Sequence, residues 1–212
     1  RRRRALVHVE DERAARGDRP MITPFAFVLS LVLALPAAAP QPGWAETPAA
    51  LQARLGSIAG DIAATAFGDD GKPPQRTIPG GPEMMAAVLV ALAYKESGWS
   101  ADADKGPCYR GRSGLSARCD SGMSASLWQL RIGSGATREG WTQADLFADR
   151  RKAVSVAARM VAQSWGCVRQ HGEDAALNAY ASGSCTGGAY AGLARLKLAR
   201  RLLAEHPRQV NP

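Results

Sequence analysis

The feature that most constrains this chain is an unbroken apolar run, Met84–Tyr94, that ends abruptly in Lys95-Glu96-Ser97-Gly98. Pro82 stands where a first helical turn tolerates it, and Gly98 stands where a helix C-cap belongs. The run therefore reads as one helix, apolar on every side. Such a helix folds only if other helices surround it. Glu96 then falls in the last turn of a buried rod. Desolvation disfavours the charge of a carboxylate at that place, and the negative end of the helix dipole disfavours it further. A carboxylic acid kept protonated in this way is a proton donor near neutral pH.

The rest of the chain supports a helical surround. It is rich in Ala and Leu, strand-like alternation is nearly absent, and 46% of its 212 residues are hydrophobic. That suffices for one mainly helical domain with a real core. Pro48–Phe67 reads as a first helix, with Thr47 as N-cap and Leu51, Leu55, Ile58 and Ile62 as its apolar stripe. Ala101–Gly122 reads as a long polar loop, Ala125–Ile132 as a short helix, and Thr142 as the cap of another short turn. Arg150–Trp165 is an amphipathic helix, Glu173–Tyr180 a short one, and Tyr190–Ala204 a basic one. No repeat or low-complexity linker divides this part of the chain.

Phe25–Ala39 is a separate apolar run of 15 residues, short for a membrane span and suited to the core of a signal peptide. Small residues allow cleavage after Ala39 or after Ala45. The second is favoured because Pro40 would follow the first. The chain is thus expected to divide into a basic leader and signal peptide, 1–45, and a single domain, 46–212. No stable membrane span is expected after cleavage, and the domain is expected in a bacterial periplasm or secreted. The net charge of +8 falls to about +5 without the leader. A basic exported domain is drawn to anionic wall polymer, membrane surface or nucleic acid. The aromatic and basic interleaving of a nucleic-acid binder is missing.

Four cysteines behind an export signal read as two disulfides. Three pairings exist. The local one, Cys108–Cys119 with Cys167–Cys185, is expected. His8, His171 and His206 are scattered, so no metal site is expected. Nothing in the sequence calls for a cofactor.

Three segments occur in order: Glu96-Ser97 at the helix end, Ser126-Leu127-Trp128-Gln129-Leu130, and Tyr180-Ala181-Ser182-Gly183. Their separations are 33 and then 51 residues, from Glu96 to Gln129 and on to Tyr180. The trio resembles the soluble lytic transglycosylase branch of the lysozyme-like superfamily, over about Pro82–Gly183. The resemblance implies an all-α, lysozyme-like domain, here with a disulfide-closed loop. It implies that peptidoglycan glycan strands are cleaved at the MurNAc–GlcNAc bond without water, leaving 1,6-anhydro-muramyl ends. Glu96 would be the single acid and then base. Gln129 would bind the sugar, Tyr180 would hold Glu96 through its hydroxyl, and Ser97 would bond substrate or cap the helix. Three positions depart from the family pattern. Ser126 stands for Gly, Trp128 for Met and Ala181 for Asn.

Two other readings stand beside this one. A hydrolase on the same fold needs a second carboxylate, and Asp102, Asp104 and Asp120 are the candidates, although acids in a polar loop are ordinarily solvated. A catalytically silent wall-binding module would tolerate the altered Ser126 and Ala181. Trp99 and Trp128 are read as sugar-stacking or core residues. Arg195, Lys197, Arg200 and Arg201 are read as a solvated basic face or a contact to anionic polymer.

Overall fold

The computed structural model describes residues 22–38, 45–69, 74, 76–106, 124–132 and 135–208. Its central element is the helix read from the apolar run. This is α3, Gly81–Ser97, in which every residue from Met85 to Ala93 is buried. Four helices pack against it. They are α1 (Pro24–Leu33), α2 (Pro48–Phe67), α6 (Arg150–Ser164) and α9 (Ala189–Glu205). An all-round apolar rod is stable here because each of its faces meets another helix.

Local capping sets several boundaries. The Thr47 hydroxyl accepts from Ala50 N–H at 3.2 Å, with Pro48 opening α2. Thr142 and Asp145 form a reciprocal capping box that starts α5, Gln143–Ala148. Asp149 caps α6, which buries Val154, Ala157, Ala158 and Val161, while Trp165 begins a 3₁₀ turn and is half-buried. The chain passes through α7 (Val168–His171), a second 3₁₀ turn (Glu173–Ala175) and α8 (Asn178–Ser182) before α9. The expected single helix over Glu173–Tyr180 is therefore two shorter pieces.

Cys167 is bonded to Cys185. The bridge closes a loop of 18 residues, a size for which chain entropy gives about 3 kcal/mol. The second expected pair, Cys108–Cys119, lies outside the described residues, as does Asp120.

The structure differs from the sequence reading in two further places. Residues 125–132 are not helical. Ser124–Ala125 (β1) and Leu130–Arg131 (β2) pair antiparallel as a minimal hairpin, turned by Ser126 at φ +65° and Gln129 at φ +47°. The turn carries Leu127 and Trp128 inward to full burial, and that burial holds two non-glycine residues in the left-handed region. The expected polar loop begins instead as a helix, α4 (Ala101–Lys105). The apolar segment read as a leader forms α1, which buries Phe27, Val28, Leu31 and Val32 and sets Phe27 edge-on to Phe67 at 6.1 Å. Among the described residues no helix is long and apolar enough to cross a membrane.

Candidate functional site

Glu96 occupies the last turn of α3. The helix stops at Gly98, whose φ of +58° suits glycine and whose N–H returns to the Tyr94 carbonyl. A Cβ at residue 98 would lie 2.8 Å from the Ala38 methyl. The segment after α1 thus packs directly on the helix end, and Ala38 N–H donates to the Gly98 carbonyl at 2.8 Å. A cleft of about 450 Å³ lies here, between Pro36–Ala38 and the stretch Tyr94–Gly98.

The Glu96 side chain is 19% exposed and opens on this cleft. Its partner is Arg195, from the middle of α9. Arg195 donates from Nε at 2.9 Å and from Nη2 at 2.6 Å, both to Oε1. The third guanidinium nitrogen donates to the Ala191 carbonyl at 2.7 Å and anchors the fork on its own helix. Arg195, expected on a solvated basic face or as a contact to anionic polymer, is half-buried at the carboxylate. Its neighbours follow the sequence reading more closely. Lys197 is exposed, Arg200 pairs with Glu173 at 2.7 Å, and Arg201 reaches Glu205 within the helix.

Tyr180 reaches the site from α8. Its hydroxyl donates not to Glu96 but to the Trp128 carbonyl at 2.8 Å. The contact joins the hairpin turn to α8 and leaves the carboxylate to Arg195. Burial first, and then the nearby charge of Glu96, push the Tyr180 phenol well above its usual value. It is therefore a standing donor. Its backbone N–H donates to the Ser164 hydroxyl at 3.1 Å, and the Cys167–Cys185 bridge braces the segment just beyond it.

The other expected site residues are engaged locally. The Ser97 hydroxyl is buried and donates back to the Ala93 carbonyl at 2.7 Å within its own helix. Gln129 is half-buried and donates from Nε2 to the Ser126 carbonyl at 3.0 Å, bracing the hairpin turn. Trp128 is fully buried, its indole N–H on the Leu89 carbonyl at 3.0 Å, and Trp99 is fully buried as well. Both are core residues, which settles the choice between stacking and packing.

Asp102 and Asp104 are buried, not solvated. Asp102 accepts from the Ser100 hydroxyl. Asp104 takes a bidentate pair from Arg150 at 2.7 Å and lies 3.6 Å from Arg54. Arg54 in turn grips Glu46 and donates to the Trp99 carbonyl at 2.8 Å. This network ties the start of α2 and the start of α6 to the turn that follows Glu96. The two aspartates are part of its support.

Among the described residues no group of His, Cys, Asp or Glu is placed to hold a metal ion. No protein-family model, curated protein or solved structure matches the chain.

Proposed function

We propose that the chain is an exported peptidoglycan lytic transglycosylase with Glu96 as its acid and base. One observation carries the reading. Three segments far apart in sequence are linked through Tyr180, which bonds the 126–129 turn and lies within electrostatic reach of Glu96. Glu96 closes α3, the 126–129 turn is held through the Trp128 carbonyl, and Tyr180 links that turn to α8 within electrostatic reach of Glu96. These are the segments on which the resemblance to lytic transglycosylases rests. A half-buried carboxyl at a helix end suits proton transfer to a leaving sugar oxygen.

In this reading Glu96 protonates the glycosidic oxygen. The substrate's N-acetyl group supports the positive centre. Glu96 then recovers the proton from the sugar 6-hydroxyl as the anhydro ring closes. One carboxylate is enough, which agrees with the engagement of Asp102 and Asp104 elsewhere. Mass spectrometry of purified sacculi after digestion tests the reading. Anhydro-muramyl ends support it, and reducing ends support a muramidase on the same scaffold.

The Glu96–Arg195 pair favours a second reading. A carboxylate fastened to a guanidinium also serves as a clasp between α3 and α9. A wall-binding module would keep such a clasp and would bind sacculi without releasing product.

A further inference from the structure

We propose that Arg195 is the positioning residue of this site, fixing Glu96 through Oε1 so that the transferred proton leaves and returns through Oε2. The proposal rests on the transglycosylase reading of Glu96. Both Arg195 contacts fall on the same oxygen, at 2.9 and 2.6 Å. Among the described residues Oε2 has no hydrogen-bond partner, and Tyr180 does not compete for it because its hydroxyl is committed to Trp128.

The arrangement suits an acid that must become a base. While Oε2 carries the proton, Oε1 is a carbonyl oxygen, and a carbonyl accepts both guanidinium N–H groups. The glycosidic C1–O4 bond then breaks, its electron pair stays on O4, and O4 takes the Oε2 proton. The acetamido oxygen bonds to C1 in the interval. Glu96 is now a carboxylate, still held by the same two donors. When O6 attacks C1, the acetamido oxygen departs and the O6 proton returns to Oε2. No proton is gained or lost overall. The same pair is present before reaction, so it does not by itself favour one stage of the step over another. Arg195 touches no reacting atom, so its part is to aim Glu96.

The fold holds the guanidinium in place. Nη1 is anchored on the Ala191 carbonyl. One turn earlier, Gly192 lets α9 approach α8 closely, since a Cβ there would stand 2.6 Å from Asn178 Oδ1.

The test is steady-state release of anhydro ends from soluble glycan strands by the full chain, its Arg195→Gln variant and its Arg195→Lys variant, with folding followed by circular dichroism. Removing charge-assisted hydrogen bonds of this kind should lower kcat by about 10- to 100-fold while KM changes little. Arg195→Lys keeps the charge without the fork and should recover part of the loss. If Arg195→Gln does not fold, Arg195→Lys alone carries the test, with a reduced kcat at an unchanged KM as the supporting result. An active parent whose variants keep kcat within about twofold, or lose only KM, overturns the proposal and leaves the reading of Glu96 standing. A parent that releases no anhydro ends overturns both.

Discussion

Tyr180 donates its hydroxyl to the backbone carbonyl of Trp128 at 2.8 Å, across 52 residues of sequence. The bond fastens the 126–129 turn to α8. It also keeps the Tyr180 hydroxyl off the Glu96 carboxylate, whose charge is near enough to help raise the phenol.

Tyr180→Phe removes that bond and leaves a carbonyl beside a buried indole without its donor. The expected cost is about 1–3 kcal/mol of stability, read as a lower denaturant midpoint at unchanged m-value. Anhydro-end release should fall as well, because the turn loses its anchor. An unchanged midpoint would show that the turn is held by the burial of Leu127 and Trp128 alone.

Ser126 carries a second expectation. It sits at φ +65°, where a residue with a Cβ is strained by about 1–2 kcal/mol and glycine is not. Ser126→Gly should stabilise the fold by about 0.5–1 kcal/mol, once the greater freedom of glycine in the unfolded chain is set against the relief. The Ser126 hydroxyl also accepts from Trp128 N–H at 3.4 Å, a long bond and a small loss. Thermal denaturation of the two proteins side by side decides this, and a lower Tm for the glycine variant counts against strain at this position.

Acid should weaken the support beneath the site. The Arg54 hydrogen bonds hold the Glu46 carboxyl below its usual 4.5, against a burial effect that pushes it up. A lowered folded value means that stability is gained above the ordinary carboxylate range and lost as the pH falls through it. Chemical denaturation at a series of pH values should therefore show stability falling between about pH 5 and pH 3. The fall should be shallower in Glu46→Gln, which has no charge there to protonate. Parallel curves for the two proteins would mean that the Glu46–Arg54 pair contributes nothing to acid sensitivity.

What the sequence disclosed and what it hid follow from the range of the interactions. Thr47-Pro48, Thr142 and Gly98 act within one helical turn, so the ends they define were legible. The amphipathic stripe of Arg150–Ser164 and the burial of Met84–Tyr94 come from periodicity over many residues and were equally plain. The hairpin at 124–131 was not, because two-residue strands are too short to show alternation and neither φ-positive turn residue is glycine. Asp104 looked like a loop acid because Arg150, its partner, lies 46 residues away. Arg195 looked like one member of a basic face because its partner lies 99 residues upstream. Such pairings are made by the packing of helices and leave no local mark. The apolar run 25–39 reads as a leader from its length and composition, and its packing on α2 and α3 in the full chain is likewise a contact without a local mark.

The most direct measurement is the release of 1,6-anhydro-muropeptides from purified sacculi by the parent chain and by Glu96→Gln, counted by mass spectrometry, with sacculus binding measured alongside. Gln keeps the shape of Glu96 and an oxygen for Arg195 but has no proton to give or take. The account requires anhydro ends from the parent, none above background from Glu96→Gln, and equal binding by both. A folded Glu96→Gln protein that releases anhydro ends at the parental rate would contradict it.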